Sequence, residues 1–596
     1  MNTRTSIQAS KLAIAIAVCL SPALQAQANS GVDFKVAVPA APTTMKTYEL
    51  TATKAPVEFL NEILAADKLP AVQLERNTLI ARGATGQTEQ DRLRAYADPV
   101  SGDTHFIPNF AELVGTNAPH AAAAALAQPQ AESLARAALG DPRFIPQDAT
   151  QLHVDEPITV MGGSQGRAGQ VDSLAAAEHP SNAKLVMTIV PATRYADGLR
   201  VYGAGSHAVV SLANDGTIVG ALRRWRTASA GAPIETKVTP ASVRADIERQ
   251  LEPQLGRNGS HATVDKIELA YYDNNAKYLQ PVYHFEATIA SPGQKVGSGR
   301  ISGFVPVGAT LEPVPDLAAT PSGPLPTQPQ HRPEADMITP NATASSHITL
   351  GEYVNTDTTN GAYIDMSNHF LSGLTFLDSI IPGWTPTVSR TQWYYAYPFE
   401  VNSPSSRYYM NAVNVAYTVP HGDWLENTTY SDYADFWYVT DIGTNGNPGF
   451  GAAAGGVLAT WVIMSCEVVP SMYDRQHEAG ATDNPYTAFN AWWPVFQGLH
   501  NVIGFRTQMF YPDDTLNFEF GYDASLGGDI NAAWFQEVGA YDGNDGTYHD
   551  GHLIGNPLVH YDRASTMIDG RDLGQSLFNV AAQSASGTLY NFWMNN

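Results

Sequence analysis

Cys466 and His421 are a pair of residues whose side chains could carry out a reaction together. A thiolate attacks carbonyl carbon well, but a free thiol is mostly protonated near neutral pH, and a neighbouring imidazole corrects this by accepting the proton. Gly422 follows His421 directly, and the backbone N–H groups of Gly422 and Cys466 are suitable donors for the oxyanion of a tetrahedral intermediate. The pair therefore predicts nucleophilic hydrolysis by Cys466, with His421 as the base.

Two apolar segments must position this pair. Cys466 ends the run Val457-Leu-Ala-Thr-Trp-Val-Ile-Met-Ser-Cys466, and His421 follows the run Asn411-Ala-Val-Asn-Val-Ala-Tyr-Thr-Val-Pro420. Short apolar runs are typical of buried strands in a parallel sheet, and reacting groups lie at the carboxyl edge of such sheets. Strand-like and helical segments alternate over residues 347–596, which favours an α/β fold. We expect adjacent strands that bring both side chains to one edge.

The order of these segments resembles that of a known group of peptidases. An apolar strand ending in His421-Gly422, a spacer and an apolar strand ending in Ser465-Cys466 is similar to the caspase, legumain and gingipain cysteine peptidases, and Gly498-Leu-His-Asn-Val-Ile-Gly504 resembles the strand that follows in that fold. The resemblance implies a caspase-like α/β/α sandwich with a mostly parallel sheet over residues 347–596. It also implies that His421 and Cys466 are the catalytic dyad of an endopeptidase acting on a peptide or protein substrate.

The middle of the chain has a different, α+β pattern. Strand-like runs between residues 185 and 224 are interrupted by Asp197-Gly198 and Asp215-Gly216, which are strong hairpin signals. Thr239-Pro240 predicts the start of a helix. Residues 193–219 and 269–285 resemble the propeptide region that precedes secreted thermolysin-like metallopeptidases. The resemblance implies that residues 151–311 form an α+β propeptide-like domain that assists folding and inhibits the enzyme.

The remaining segments complete the predicted organisation. Arg4 and Lys11, the apolar stretch that follows and Ala26-Gln27-Ala28 predict a bacterial-type secretory signal peptide over residues 1–28, and hence a secreted or periplasmic protein. Residues 29–150 have no assignable role. Residues 312–346 are proline-rich, which predicts an extended linker and a site of proenzyme processing. Near the C-terminus, residues 574–582 have the apolar spacing of an amphipathic helix.

Charge and cysteine content restrict the partners. Residues 347–596 contain 26 acidic residues, six arginines and no lysine, so that −20 of the total net charge of −24 lies there. Nucleic acid and anionic lipid are therefore excluded as expected partners, and no internal segment is long and apolar enough to span a membrane. Only Cys466 follows the predicted signal peptide, so no intramolecular disulfide is expected. The acidic surface also favours basic substrates.

The sequence also contains candidate metal ligands and is compatible with two other functional classes. No cofactor is required by the predicted chemistry, although Asp542, Asn544, Asp545 and Asp550 supply oxygen ligands that could hold a structural Ca²⁺, with a spacing that differs from the EF-hand loop. His477-Glu478 lacks the second histidine of the His-Glu-x-x-His zinc motif. The alternatives are a non-catalytic secreted binding module and a secreted metallohydrolase using scattered histidines. In the binding module, Trp393, Trp492, Trp493 and Trp593 could stack on sugars, although aromatic residues in a domain of this size are usually part of the core.

Overall fold

The computed structural model describes a defined part of the chain: residues 31–84, 86–114, 118–120, 125–166, 181–255, 260–290, 299–318, 347–354, 362–394, 398–428, 436–444, 446–472, 474, 486–511, 514–541, 546–549 and 557–595. The predicted signal peptide and most of the predicted linker lie outside these residues. The candidate calcium ligands Asp542, Asn544, Asp545 and Asp550 also lie outside them.

The N-terminal half contains eighteen described strands and four α-helices. The strands are β1 (Val32–Phe34), β2 (Thr44–Met45), β3 (Tyr48–Thr51), β4 (Gln73–Glu75), β5 (Thr78–Arg82), β6 (Leu93–Ala97), β7 (Thr104–Phe106), β8 (Gln151–Val154), β9 (Ile158–Gly166), β10 (Lys184–Ala196), β11 (Leu199–Tyr202), β12 (Ser206–Ala213), β13 (Ile218–Trp225), β14 (Thr227–Ala230), β15 (Ile234–Glu235), β16 (His261–Tyr272), β17 (Tyr278–Ala290) and β18 (Gly299–Pro306). The helices are α1 (Val57–Ala66), α2 (Phe110–Leu113), α3 (Gln128–Leu139) and α4 (Pro240–Leu251).

The C-terminal half contains thirteen described strands and five α-helices. The strands are β19 (His347–Val354), β20 (Thr387–Tyr394), β21 (Val415–Val419), β22 (Gly422–Asp423), β23 (Glu426–Thr428), β24 (Phe436–Tyr438), β25 (Thr460–Ile463), β26 (Asn501–Phe505), β27 (Phe510–Tyr511), β28 (Thr547–His549), β29 (Leu558–His560), β30 (Ala564–Asp569) and β31 (Thr588–Met594). The helices are α5 (Ala362–Ile380), α6 (Pro398–Val401), α7 (Tyr486–Trp492), α8 (Asp514–Leu526) and α9 (Ile530–Tyr541).

The chain has an α/β fold, as the sequence predicts, but its sheet is mixed. Five strands are parallel to their neighbours, in the order β20, β19, β21, β25 and β26. From β26 onward the pairing is antiparallel, through β30 and β31 to β9 and β10 of the N-terminal half. The prediction of a mostly parallel sheet is therefore wrong for the sheet as a whole, because the strands that complete it arrive in antiparallel pairs.

The N-terminal and C-terminal halves share this sheet and its core. Strand β31 pairs with β9 from Thr588↔Gly166 to Met594↔Val160. Across one face, the ring of Phe110 stacks on that of Phe592 at a centroid distance of 4.4 Å. Twenty-four of the described strands, from all three of the ranges 29–150, 151–311 and 347–596, thus belong to one hydrogen-bonded system, while β2 and β15, β22 to β24, and β28 and β29 form three small separate sheets. Helix α9 packs against β10, β12 and β30 of the large sheet.

Local signals in the N-terminal half lead to the predicted elements. Asp197 and Gly198 have φ angles of 50° and 78° and join β10 to β11 in an antiparallel hairpin. Thr239 caps α4 by accepting a hydrogen bond from the Ser242 N–H, and Pro240 occupies the first turn. These predictions are confirmed because each depends on a few neighbouring residues.

Helices α5 and α8 pack unusually closely against each other. A Cβ atom added at Gly373 of α5 would overlap the Phe518 carbonyl oxygen of α8 and lie 2.8 Å from the Tyr522 nitrogen. A Cβ atom at Gly521 would overlap the Phe370 carbonyl oxygen in the same way. The two glycines therefore set the distance between these helices. No helix of the described ranges combines the length and the apolar character that crossing a bilayer requires.

Candidate functional site

The ends of β21 and β25 bring His421 and Cys466 to the same edge of the sheet. The two strands are parallel, and Thr418 is paired with Ile463. His421 and Cys466 each lie three residues beyond this pair, and the Met464 N–H donates to the Thr418 carbonyl at 2.8 Å, which continues the ladder toward the edge. The predicted adjacency of the two strands is confirmed, and it results from the burial of every residue of both strands.

Gly422 lies directly against the Ser465-Cys466 turn. A Cβ atom at position 422 would overlap the Ser465 hydroxyl and the Cys466 carbonyl oxygen, and would lie 2.6 Å from a methyl group of Val468. Only glycine permits this approach of two backbones. The close approach keeps the His421-Gly422 segment beside the Cys466 segment.

Cys466 is partly exposed as a residue, but its sulfur is packed against the Met509 backbone. The Met509 N–H lies 3.4 Å from Sγ, and the Met509 carbonyl oxygen lies 4.0 Å from it. Burial, with smaller contributions from the carboxylates of Glu467, Asp562 and Asp423, raises the pKa of the Cys466 thiol to about 12, although the hydrogen bond with the Met509 backbone lowers it in part. The thiol is therefore protonated at neutral pH in this conformation.

The residue after Cys466 has a backbone conformation that few side chains adopt. Glu467 has a φ angle of 57°, in the left-handed region, which costs a residue with a side chain about 1 kcal/mol or more. Its N–H donates to the Thr507 carbonyl at 3.2 Å, and the Tyr548 hydroxyl donates to its carboxylate at 2.8 Å. These bonds hold a sharp turn immediately after the candidate nucleophile, and strained turns concentrate at functional sites.

His421 is held by Tyr363, which the sequence analysis did not identify. The Tyr363 hydroxyl lies 2.6 Å from His421 Nε2, and the two rings meet edge to face with centroids 5.3 Å apart. Among the described residues, the hydrogen-bond contacts of the Cys466 sulfur are with Met509 rather than with this imidazole. The two predicted dyad residues are thus neighbours at one edge without a hydrogen bond between them.

The N-terminal half reaches the segment that covers the thiol. Strand β27 begins one residue after Met509 and pairs in parallel with β18, through Arg300↔Phe510 and Ile301↔Tyr511. The Arg300 guanidinium also lies 5.3 Å from the centroid of the Phe510 ring. On the other side, the Phe510 N–H donates to Asp562 at 3.0 Å. The backbone that contacts Sγ is therefore clamped between β18 and Asp562.

The tryptophans that could have stacked on sugars belong to the core wherever the structure describes their side chains. Trp492, Trp493 and Trp593 are 0%, 3% and 2% exposed. Trp492 packs edge to face on Trp461 of β25, with ring centroids 6.2 Å apart. Buried rings cannot receive a glycan, so these three residues give no support to a sugar-binding surface.

A cluster that could hold a metal ion occurs elsewhere in the described structure. Ligand atoms of His105, Asp523 and Glu537 lie within 4.8 Å of one another, and all three residues are buried. The signal for this cluster in the sequence is the presence of isolated acidic residues inside apolar helical segments, which the sequence analysis did not use. The elements that carry it, β7, α8 and α9, differ from those that carry His421 and Cys466.

Comparison with known proteins gives little further information. No protein-family model matches the chain, and no curated protein matches it. A solved structure of an uncharacterized protein from Eubacterium rectale ATCC 33656 is similar to part of it, with 12% sequence identity, a TM-score of 0.25, and coverage of 46% of this chain and 88% of that chain. A similarity at this level carries no argument about function.

Proposed function

We propose that the protein is a secreted cysteine endopeptidase in a latent form, with Cys466 as nucleophile, His421 as base and a caspase-like arrangement of the C-terminal half. The observation that carries the proposal is the shared register of β21 and β25, because the two residues follow these strands at one edge of the sheet. A nucleophile and a base in this position can come within hydrogen-bond distance once the Met509 backbone no longer holds the sulfur.

The sharp turn after Cys466 supports the role of its backbone in catalysis. A left-handed Glu467 bends the chain away immediately after the nucleophile. The segments of Cys466 and Gly422 are packed against each other. Their backbone N–H groups are therefore the donors that we expect to stabilise the oxyanion. Tyr363 orients the imidazole through the hydrogen bond to its Nε2.

The environment of the thiol supports latency. A pKa of about 12 leaves the thiol protonated and unreactive, and Met509 covers the sulfur on the side of the segment that pairs with β18. In this proposal the N-terminal half inhibits the enzyme by holding residues 509–511 in place. Displacement of residues 509–511 frees the thiol to approach His421, which lowers the pKa of the thiol.

The test compares the secreted full-length protein with its processed form. We expect processing to place the new N-terminus between Glu312 and His347, and hydrolysis of peptide substrates to appear only afterwards. Cys466→Ser and His421→Gln should each abolish this hydrolysis, whereas Ser372→Cys, at an exposed position of α5, should not affect it. Full activity of the Cys466→Ser protein would overturn the proposal.

The charge of the C-terminal half determines the substrate preference that we expect. The acidic C-terminal half, with its net charge of −20, favours substrates with Arg or Lys at the cleaved position, because a cationic side chain is attracted to it. Profiling with Arg-, Lys-, Asn- and Asp-terminated substrates measures this preference. A preference for Asp would contradict it.

A further inference from the structure

Five ionisable side chains meet in the interior where the two halves of the protein join. His105 lies on β7 and Arg224 on β13, in the N-terminal half, while Glu519 and Asp523 lie one turn apart on α8 and Glu537 lies on α9. Each of the five residues is at most 2% exposed. Charged groups are rarely buried to this extent without compensation, so the composition of the cluster needs a physical explanation.

The ring nitrogens of His105 are buried and, in the part of the chain that the structure describes, lack hydrogen bonds, so they are available to bind a metal ion. Its Nδ1 lies 2.7 Å from Asp523 Oδ1, yet among the described residues neither ring nitrogen has a hydrogen-bond partner, and neither has Asp523 Oδ2. The 2.7 Å contact is an ion-pair distance, and two tetrahedral ligands with metal bonds of about 2.0–2.2 Å lie about 3.3–3.5 Å apart, so this pair has to widen by about 0.7 Å to share a cation. One oxygen of Glu537 completes a set of three ligand atoms within 4.8 Å of one another.

With all three carboxyl groups ionised, the cluster has two more negative charges than positive ones; burial opposes this ionisation by raising the pKa of Glu519 and Glu537 to about 8 and by raising the pKa of Asp523. Arg224 contacts Glu537 at 2.8 and 3.0 Å, Glu519 at 2.9 Å and Asp523 at 3.4 Å. It is the one cation among three carboxylates in the cluster, and a single guanidinium neutralises one of them. A divalent cation supplies the two charges that ionisation of all three carboxyl groups requires. Each carboxylate oxygen has two lone pairs, so the bidentate contact of Arg224 with Glu537 leaves acceptor capacity for a metal.

We propose that His105, Asp523 and Glu537 bind a divalent transition-metal ion of the Zn²⁺ class, which joins β7 of the N-terminal half to α8 and α9 of the C-terminal half. A neutral imidazole with two carboxylates is a ligand set that Zn²⁺ and its first-row neighbours accept. Ca²⁺ requires six to eight oxygen ligands and fits this set poorly. Because the residues are inaccessible to solvent, the metal has a structural role and stabilises the junction of the two halves.

The test uses the full-length protein purified without chelators. Elemental analysis should find about one equivalent of a divalent transition metal per chain. After chelator treatment, added Zn²⁺ should raise the melting temperature, and Co²⁺ should give visible absorption bands. His105→Gln and Glu537→Gln should weaken Zn²⁺ binding by more than about 100-fold, since even the loss of a group that only supports a ligand costs 10–100-fold.

A matched control separates a metal site from a general loss of packing. His500 is also buried, at 3% exposed, and its Nε2 donates to the Ala581 carbonyl at 2.9 Å, so His500→Gln should keep full Zn²⁺ affinity. Glu537→Gln conserves shape, and its fold is checked by circular dichroism before the titration. Absence of metal in the purified protein together with no response of its melting temperature to Zn²⁺, Mn²⁺ or Fe²⁺ would overturn the proposal, as would equal affinity in all three variants.

Discussion

The reactivity of Cys466 in the full-length protein should be far lower than that of an exposed thiol, and it should depend differently on pH. A pKa of about 12 leaves about one thiol in 10⁴ ionised at pH 8, whereas a free thiol with a pKa near 8.5 is about one-quarter ionised. The more basic thiolate is intrinsically a better nucleophile, which raises its rate of alkylation by a factor of about 40. The net expectation is alkylation roughly 60-fold slower than that of an exposed thiol at pH 8.

The pH profile distinguishes desolvation from simple steric cover. With a raised pKa the fraction of thiolate grows about tenfold per pH unit from pH 8 to pH 11, so the alkylation rate of Cys466 should keep rising over that range. The alkylation rate of an exposed thiol, with a pKa near 8.5, levels off between about pH 9 and pH 10. A thiol that is only covered would react slowly but would saturate at the same pH as the exposed one.

The assay is straightforward because Cys466 is the only cysteine after residue 28. Iodoacetamide incorporation is followed by mass spectrometry, with Ser372→Cys in a Cys466→Ala background as the exposed control. In urea, Cys466 should react at the control rate. A plateau between about pH 9 and pH 10 in the folded protein, or a rate within about threefold of the control at pH 8, would refute the argument from desolvation.

Three other substitutions test separate parts of the structure. Tyr363→Phe removes the hydroxyl that holds the histidine base and should lower turnover of the processed enzyme about tenfold, with the melting temperature nearly unchanged; an equal loss of stability would indicate a packing role instead. Gly373→Ala places a methyl group against the backbone of α8 and should lower the free energy of unfolding in urea by more than about 3 kcal/mol. In the control Gly587→Ala, the added methyl group has no atom of the described residues within 4 Å, so the loss should be less than about 1 kcal/mol. Arg224→Met removes the guanidinium that contacts three buried carboxyl groups and should lower the free energy of unfolding of the chelator-treated protein by about 3–5 kcal/mol. In the control Arg249→Met, the side chain is 48% exposed, so the free energy of unfolding should change by less than about 1 kcal/mol.

The edge that carries His421 and Cys466 could be predicted because it depends on short-range information. Two short, largely apolar runs predict buried strands, and parallel strands that are neighbours end at the same edge. The contacts of the two side chains could not be predicted, because their partners lie far away in sequence. Tyr363 is 58 residues from His421, and Met509 is 43 residues from Cys466. Nothing in the local pattern around either residue indicates these partners.

The predicted helix over residues 574–582 illustrates how a tertiary contact overrides a local pattern. That segment is irregular in the structure, and the Asp91 carboxylate accepts hydrogen bonds from the Ser576 N–H at 2.8 Å and from its hydroxyl at 2.7 Å. A buried carboxylate needs such donors, and these two fix Ser576 against a distant part of the chain. Amphipathic spacing alone cannot reveal this requirement, because Asp91 lies 485 residues away.

The way in which the two halves join limits how the proposed latent form could become active. Strand β9 is paired with β31 over seven residues, and Phe110 is buried against Phe592 in the shared core, so release of the whole N-terminal half would expose both a sheet edge and apolar surface. The contact between β18 and β27, by comparison, consists of two residue pairs. Cleavage between the halves should therefore leave the shared sheet intact, and the free energy needed to uncover Cys466 is that of opening one short parallel pairing. Local opening of β27 is consistent with the position of Met509 one residue before it, because movement of this segment removes the backbone that covers the sulfur while the strand ends that carry His421 and Cys466 stay in register.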